Sequence, residues 1–193
     1  MRTVKTLVVG LVVLVSAGIV LGAEAGKPAK PKPGPEHKKL QYFAGNWTSE
    51  ADLKESPFGP GGKVSTKDNC KWFEGGFAVV CNSTGTGPMG PSKGLGILGY
   101  SGEEKVYTYY GVDNSGMVPT SVARGTVEGD TWTYAGEDKM GGKTIKSRYT
   151  MKIESPDAYS FNWEMQGEDG KWNSAMEGKS TRVKAAGAKT GKK

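Results

Sequence analysis

Residues 144–166 read TIKSRYTMKIESPDAYSFNWEMQ, and their spacing decides the fold. Ile145, Ser147, Tyr149, Met151 and Ile153 alternate with Thr144, Lys146, Arg148, Thr150 and Lys152. Beyond Ser155-Pro156-Asp157, Tyr159, Phe161, Trp163 and Met165 alternate with Ala158, Ser160, Asn162 and Glu164. A period of two sends successive side chains to opposite faces of a strand, so each run has one buried face and one wet face.

The same alternation extends outward in both directions. Strands are expected at 46–53, 64–72, 77–84, 94–100, 105–112, 118–127, 131–136, 144–153, 158–166 and 171–182, with glycines punctuating the turns between them. No long helical pattern interrupts them. The expected fold is therefore all-β, an up-and-down antiparallel barrel of about ten strands, with a two-sheet sandwich as the competing arrangement. Residues 36–44 (EHKKLQYFA) suit one short N-terminal capping turn with Leu40 and Phe43 on one face.

In such a barrel, alternate connections lie at opposite ends. The expected connections at 54–63, 85–93, 113–117, 137–143 and 167–170 include most of the long, Gly/Pro-rich ones, whereas 73–76, 101–104, 128–130 and 154–157 are short. The first set should frame an open mouth and the second a closed base. Trp47, in Gly45-Asn46-Trp47, opens the first strand at the base, and the last strand ends there at Arg182. On that last strand Trp172, Ser174, Met176, Gly178, Ser180 and Arg182 share the expected inner face. Trp47 and Arg182 should meet as a structural cation–π lid.

A tryptophan of this kind on the first strand and an arginine on the last resemble the lipocalin and calycin barrels. More closely, residues 33–184 resemble a bacterial lipocalin-like domain-of-unknown-function family (number fifteen seventy-nine). The matching pieces are Pro33-Gly34-Pro35-Glu36-His37, Gly45-Asn46-Trp47, Trp72 with Gly75-Gly76, Gly94-Leu95-Gly96-Ile97-Leu98-Gly99-Tyr100 and Asp113-Asn114. The resemblance implies a calycin-like barrel and, by analogy alone, a small apolar ligand; it implies no activity.

The ends of the chain read differently. Arg2 and Lys5, the apolar run 7–21 and Ala23-Glu24-Ala25 form the pattern of a signal peptide over residues 1–25, with cleavage expected before Gly26. The mature protein is expected to be exported, to the periplasm or beyond. Residues 26–39 form a Pro/Lys-rich linker, residues 40–183 the barrel domain and residues 184–193 a disordered basic tail. The overall charge of +6 misleads, because residues 40–181 hold 14 basic and 18 acidic side chains. The positive charge sits in the terminal segments, where loose contact with an anionic envelope surface is expected. Nucleic-acid binding, which wants a basic face on the fold itself, is not.

Cys70 and Cys81 flank Gly75-Gly76; counting outward from a two-glycine turn places them directly opposite each other, which favours a disulfide in an exported chain. The run Gly94–Gly99 spells G-x-G-x-x-G but is followed by another strand rather than a helix, so nucleotide binding is rejected. His37 is the sole histidine and precedes the barrel, which excludes a histidine-based triad or a multi-histidine metal site. No cofactor and no metal are expected.

Asp68 shares an inward face with Val64, Thr66, Cys70 and Trp72. An inward carboxylate needs a partner or a shifted pKa. A structural ion pair, with Arg124 or a tyrosine as partner, and a general base are the two readings. Phe58, Met89, Met117 and Met140 fall in four expected mouth loops, where they suit an adaptable apolar gate, loop plugs or soft ligands for Cu(I). With Leu53, Val64, Tyr149 and Phe161 inside, they form the candidate ligand site. The leading reading is a monomeric, non-enzymatic barrel binding a small apolar or amphipathic molecule. The others are an enzyme using Asp68 on a hydrophobic substrate and an envelope interaction module with a filled interior.

Overall fold

A computed structural model describes residues 30–184 except 58, 117 and 141. The expected signal peptide and the basic segment 185–193 lie outside the described residues. The barrel belongs to a unit that begins at Lys32.

Ten strands follow one another around a closed antiparallel barrel, each hydrogen-bonded to its neighbours in the chain, and the first pairs with the last. They are β1 Gly45–Leu53, β2 Gly62–Trp72, β3 Ala78–Gly87, β4 Gly90–Ser101, β5 Val106–Asp113, β6 Ala123–Glu128, β7 Thr131–Met140, β8 Lys143–Ser155, β9 Ala158–Gln166 and β10 Trp172–Arg182. Closure eliminates the sandwich. It also removes free sheet edges, the liability of any open β-structure, over all but the mouthward part of the β5–β6 seam.

The barrel is preceded by a short helix α1, Pro35–Lys39, and a 3₁₀ turn, Leu40–Tyr42. Proline suits the helix start because its missing N–H would have no helical partner there. The Gly34 N–H instead donates to His37 Nδ1 at 3.2 Å, and the His37 ring stands edge-on to Phe77 and Tyr100. This segment turns Leu40 and Phe43 into the barrel end, where both are buried.

The base is filled with aromatic side chains. Phe43 meets Trp132 at 5.0 Å between centroids, Tyr107 meets Trp132 at 4.6 Å and Trp47 meets Tyr159 at 5.1 Å. Val79, Leu98 and Met151 complete this core. Polar handles of three of the aromatics at this end find partners: Trp47 Nε1 donates to the Phe43 carbonyl at 2.9 Å, Trp72 Nε1 to Gln41 Oε1 at 2.6 Å and the Tyr107 hydroxyl to Glu36 Oε2 at 2.5 Å. Burying rings while satisfying their N–H and O–H groups is what lets aromatic side chains close a barrel end. Cys70 faces Cys81 across the β2–β3 ladder and the two are bridged.

Three details depart from the sequence expectations. The β3–β4 and β7–β8 connections are not long loops, because β3 runs to Gly87 with β4 starting at Gly90, and β7 runs to Met140 with β8 starting at Lys143. Gly85, Gly87 and Gly90 belong to strands: a Cβ on Gly85 would stand 2.5 Å from the Ser65 carbonyl oxygen, so glycine there permits close strand approach rather than a turn. Second, β6 starts at Ala123 rather than near Val118. Pro119 cannot donate to a ladder, and the chain stays outside the sheet up to Val122. Third, the β9–β10 register shifts between Ser174 and Met176. This bulge at Ala175 reverses the facing of everything before it, so Trp172 and Ser174 lie outside the barrel, not inside. Trp172 sits under the Arg148 guanidinium at 4.6 Å, and Ser174 donates to Asn162 Oδ1.

Candidate functional site

Above the aromatic base the inward side chains stop short of one another and enclose a cavity of about 590 Å³. Its floor is Phe43 and Trp47, and its walls include Val64, Leu98, Tyr149, Met151, Phe161 and Met176. A volume of this size lies in the ~300–1,000 Å³ range of small-molecule sites. Glycine makes part of the space. Tyr109 lies across Gly96 and Gly111, where a Cβ would stand 3.1 and 2.5 Å from its ring and hydroxyl. Tyr109 is enclosed by the wall yet keeps 40% of its surface accessible, which is surface facing the cavity. The G-x-G-x-x-G run is thus part of β4, paired on both sides, and its middle glycine seats a tyrosine.

The cavity also reaches the side of the barrel. β5 and β6 pair over only Tyr107–Tyr109 and Ala123–Gly125, whereas β3 with β4 and β7 with β8 pair over ten positions each. Mouthward of Tyr109 the wall parts, and Val112, Asp113, Val118, Pro119 and Ser121 line the opening. The Tyr110 hydroxyl on one margin reaches the Pro119 carbonyl on the other at 3.4 Å. The sequence contains the cause in Pro119 but gives no sign that the neighbouring strand would be left with one partner.

Asp68 is the charged group nearest the base among those lining the cavity. It stands between Trp47 and Ser83 in the ladders, and its carboxylate accepts hydrogen bonds from the hydroxyls of Ser83 and Thr66. Burial raises its pKa above the ordinary carboxylate value, with the Thr66 hydroxyl opposing the shift. Arg124 is not its partner. It lies outside the barrel and forms a two-pronged pair with Glu104, at 2.9 and 3.0 Å. The ion-pair reading with Arg124 therefore fails because the two side chains point to opposite faces of the sheet.

Tyrosines surround this carboxylate. Burial raises the Tyr149 hydroxyl well above its ordinary value and Tyr159 to about 12; the negative charge of Asp68 contributes to both and to the rise at Tyr109. These phenols remain neutral at physiological pH. The Tyr134 hydroxyl is buried beside them with no hydrogen-bond partner in the protein. Ser49 and Ser180 bond to each other at 2.6 Å on the β1–β10 side of the wall.

Of the residues singled out in the sequence, Val64, Tyr149 and Phe161 line the cavity, while Leu53 does not. Met89 is 67% exposed at the tip of the β3–β4 hairpin, where its sulfur approaches Gly59. Phe58 and Met117 lie outside the described residues, as does the Met140 side chain. Trp47 and Arg182 sit at the base, the guanidinium 4.2 Å from the indole centre. Sequence reasoning missed Tyr109, Tyr134 and Ser83. Ser83 shares strand parity with Cys81, opposite the inward Cys70, so that signal was present; no face was assigned in the sequence to the strands of Tyr109 and Tyr134.

The family model described as "Protein of unknown function (DUF1579)" matches residues 32–182, and the chain belongs to that family. No curated protein matches it significantly. Among solved structures, the crystal structure of Rv2717c from M. tuberculosis superposes with a TM-score of 0.57 at 12% identity, covering 78% of this chain and 99% of the other. The S-type phycobiliprotein lyase CPES from Guillardia theta superposes with a TM-score of 0.54 at 14% identity, covering 78% and 93%. At such identities the likeness establishes the calycin-type barrel and nothing about chemistry.

Proposed function

We propose, taking membership of the DUF1579 family as the premise, that this protein is an exported carrier that holds a small amphipathic molecule inside its barrel. The observation that supports it is the cavity of about 590 Å³ with its aromatic and aliphatic wall. A core meant only for stability would be filled, since interiors pack to near-crystalline density and voids weaken them. The parted seam between β5 and β6 supplies a route for exchange that leaves the aromatic base intact. Export is favoured by the charged, apolar and small-residue pattern of residues 1–25 and by the Cys70–Cys81 bridge, which an oxidising compartment maintains.

The test is mass spectrometry of protein purified without denaturation, together with titration of an apolar fluorescent probe. A co-purifying small molecule, or saturable probe binding that Phe161→Trp weakens by filling the cavity, supports the reading. Protein that carries nothing and binds no probe defeats it. For export, the mature N-terminus should begin at Gly26 in an extracytoplasmic fraction; an intact leader in the cytoplasm defeats that part.

A further inference from the structure

We propose that Asp68 anchors the head group of a cationic amphiphile, so that the molecule held in this barrel is an amine. The inference rests on the carrier reading and specifies the ligand's chemistry. Three observations lead to it.

The first is the isolation of the Asp68 charge. Of the other charged cavity-lining residues, Lys93, Asp113, Asp138 and Lys139 all stand at the mouth ends of their strands, where signs are mixed; Asp138 also keeps one oxygen buried without a hydrogen-bond partner, but at that end of the barrel. Asp68 lies deeper on the inner wall, where its hydrogen-bond partners among the described residues are the hydroxyls of Ser83 and Thr66. A carboxylate taken from water into such a place is costly without a cation to face it.

The second is that the arginines of the barrel are engaged elsewhere. Arg124 is paired with Glu104 and Arg148 with Glu164, both on the outer face. Arg182 donates to the carbonyls of Tyr42 and Ala44 at the base. Among the described residues no arginine or lysine is paired with Asp68, which leaves its charge open to a partner from outside the protein.

The third is the company the carboxylate keeps. Tyr109, Tyr149 and Tyr159 all lie within its electrostatic reach and line the same cavity. Aromatic faces attract ammonium groups through their quadrupole, and a carboxylate adds a charge-assisted hydrogen bond. An anion would meet like charge, and a neutral hydroxyl would use the acceptor but neither the charge nor the rings. The apolar remainder of the ligand would lie against Leu98, Met151, Phe161 and Met176.

The test compares decylammonium, decanol and decanoate, one chain with three head groups, by calorimetric titration of the wild-type protein and Asp68→Asn at neutral pH. The wild type should bind decylammonium about tenfold or more tightly than decanol, with decanoate weakest. Asp68→Asn should bring decylammonium down to the decanol level and leave decanol within about twofold. Decanol or decanoate binding the wild type as tightly as decylammonium overturns the proposal, as does an unchanged preference in the folded variant. Should that variant not fold, the wild-type ranking decides alone. Decanol bound without any preference for the amine sinks this inference only, whereas no binding by any of the three sinks the carrier reading with it.

Discussion

The Arg182 guanidinium lies 4.2 Å from the centre of the Trp47 ring, and the two residues face each other across the ladder that closes the barrel. The same guanidinium donates to the Ala44 carbonyl at 2.7 Å and the Tyr42 carbonyl at 2.6 Å. One side chain thus ties the last strand to both the first strand and the capping turn. Arg182→Ala should lower unfolding free energy by about 2–4 kcal/mol, combining a desolvated cation–π contact with two charge-assisted hydrogen bonds. Arg182→Lys should recover only part of this, because a lysine cannot fork between two carbonyls. Chemical denaturation checks both.

Gly178 faces Ala51 and Phe161 on the inner wall. A Cβ there would stand 2.5 Å from the Glu50 carbonyl oxygen and 2.6 Å from Ala51 Cβ, and backbone cannot give way as a side-chain tip can. Gly178→Ala should destabilise by about 2–3 kcal/mol through overpacking. Gly111→Ala meets mainly the Tyr109 hydroxyl end, so it should cost less and instead displace Tyr109, weakening probe binding. The pair of melting curves and probe titrations separates the two effects.

The Cys70–Cys81 bridge closes a short loop, with a sequence separation of 11. By the loop-entropy relation, its loss should cost about 2–3 kcal/mol. The Cys70→Ser, Cys81→Ser double variant, measured against the oxidised wild type, should show this difference; reducing agent should destabilise the wild type and leave the variant unchanged.

Asp68 makes stability depend on pH in a stated direction. Burial raises its folded-state pKa, so its contribution to stability is fully present below the unfolded-state value and is lost as pH rises through the folded-state value. Relative to wild type, Asp68→Asn should therefore be most favoured at neutral pH. The difference should shrink as pH falls and vanish well below about 4, where the carboxyl is protonated in both states. Denaturation at a series of pH values reads this directly; a difference that does not vary with pH would contradict it.

Ten strands were legible because nearly every one keeps a strict period of two, as at Tyr149–Met151–Ile153 and Tyr159–Phe161–Trp163. Parity carried the inward facing of Asp68 and the opposition of Cys70 to Cys81. It failed wherever the ladder itself is irregular. Nothing in Trp172–Met176 announces the extra residue at Ala175, because a bulge is set by how two strands meet and not by either strand's own composition. The partner of Asp68 was misjudged for a related reason. Arg124 looks available in one dimension, but its strand's parity turns it outward to Glu104. The cavity was hardest to foresee, since it depends on how far the side chains of ten strands reach, and Gly96 and Gly111 matter there for what they leave out.

The three-residue ladder between β5 and β6 gives the barrel a line of preferred parting. Opening free energies differ across a protein, and the seam with the fewest ladder bonds sits at the low end of that range. Amide hydrogens along Tyr110–Asp113 should then exchange through local excursions long before the base does. Release of a bound molecule becomes a sub-global event, its rate uncoupled from global unfolding. Strengthening the Trp47–Arg182 end would raise the melting temperature without lengthening residence time, and a single engineered cross-strand pair at the seam would do the reverse.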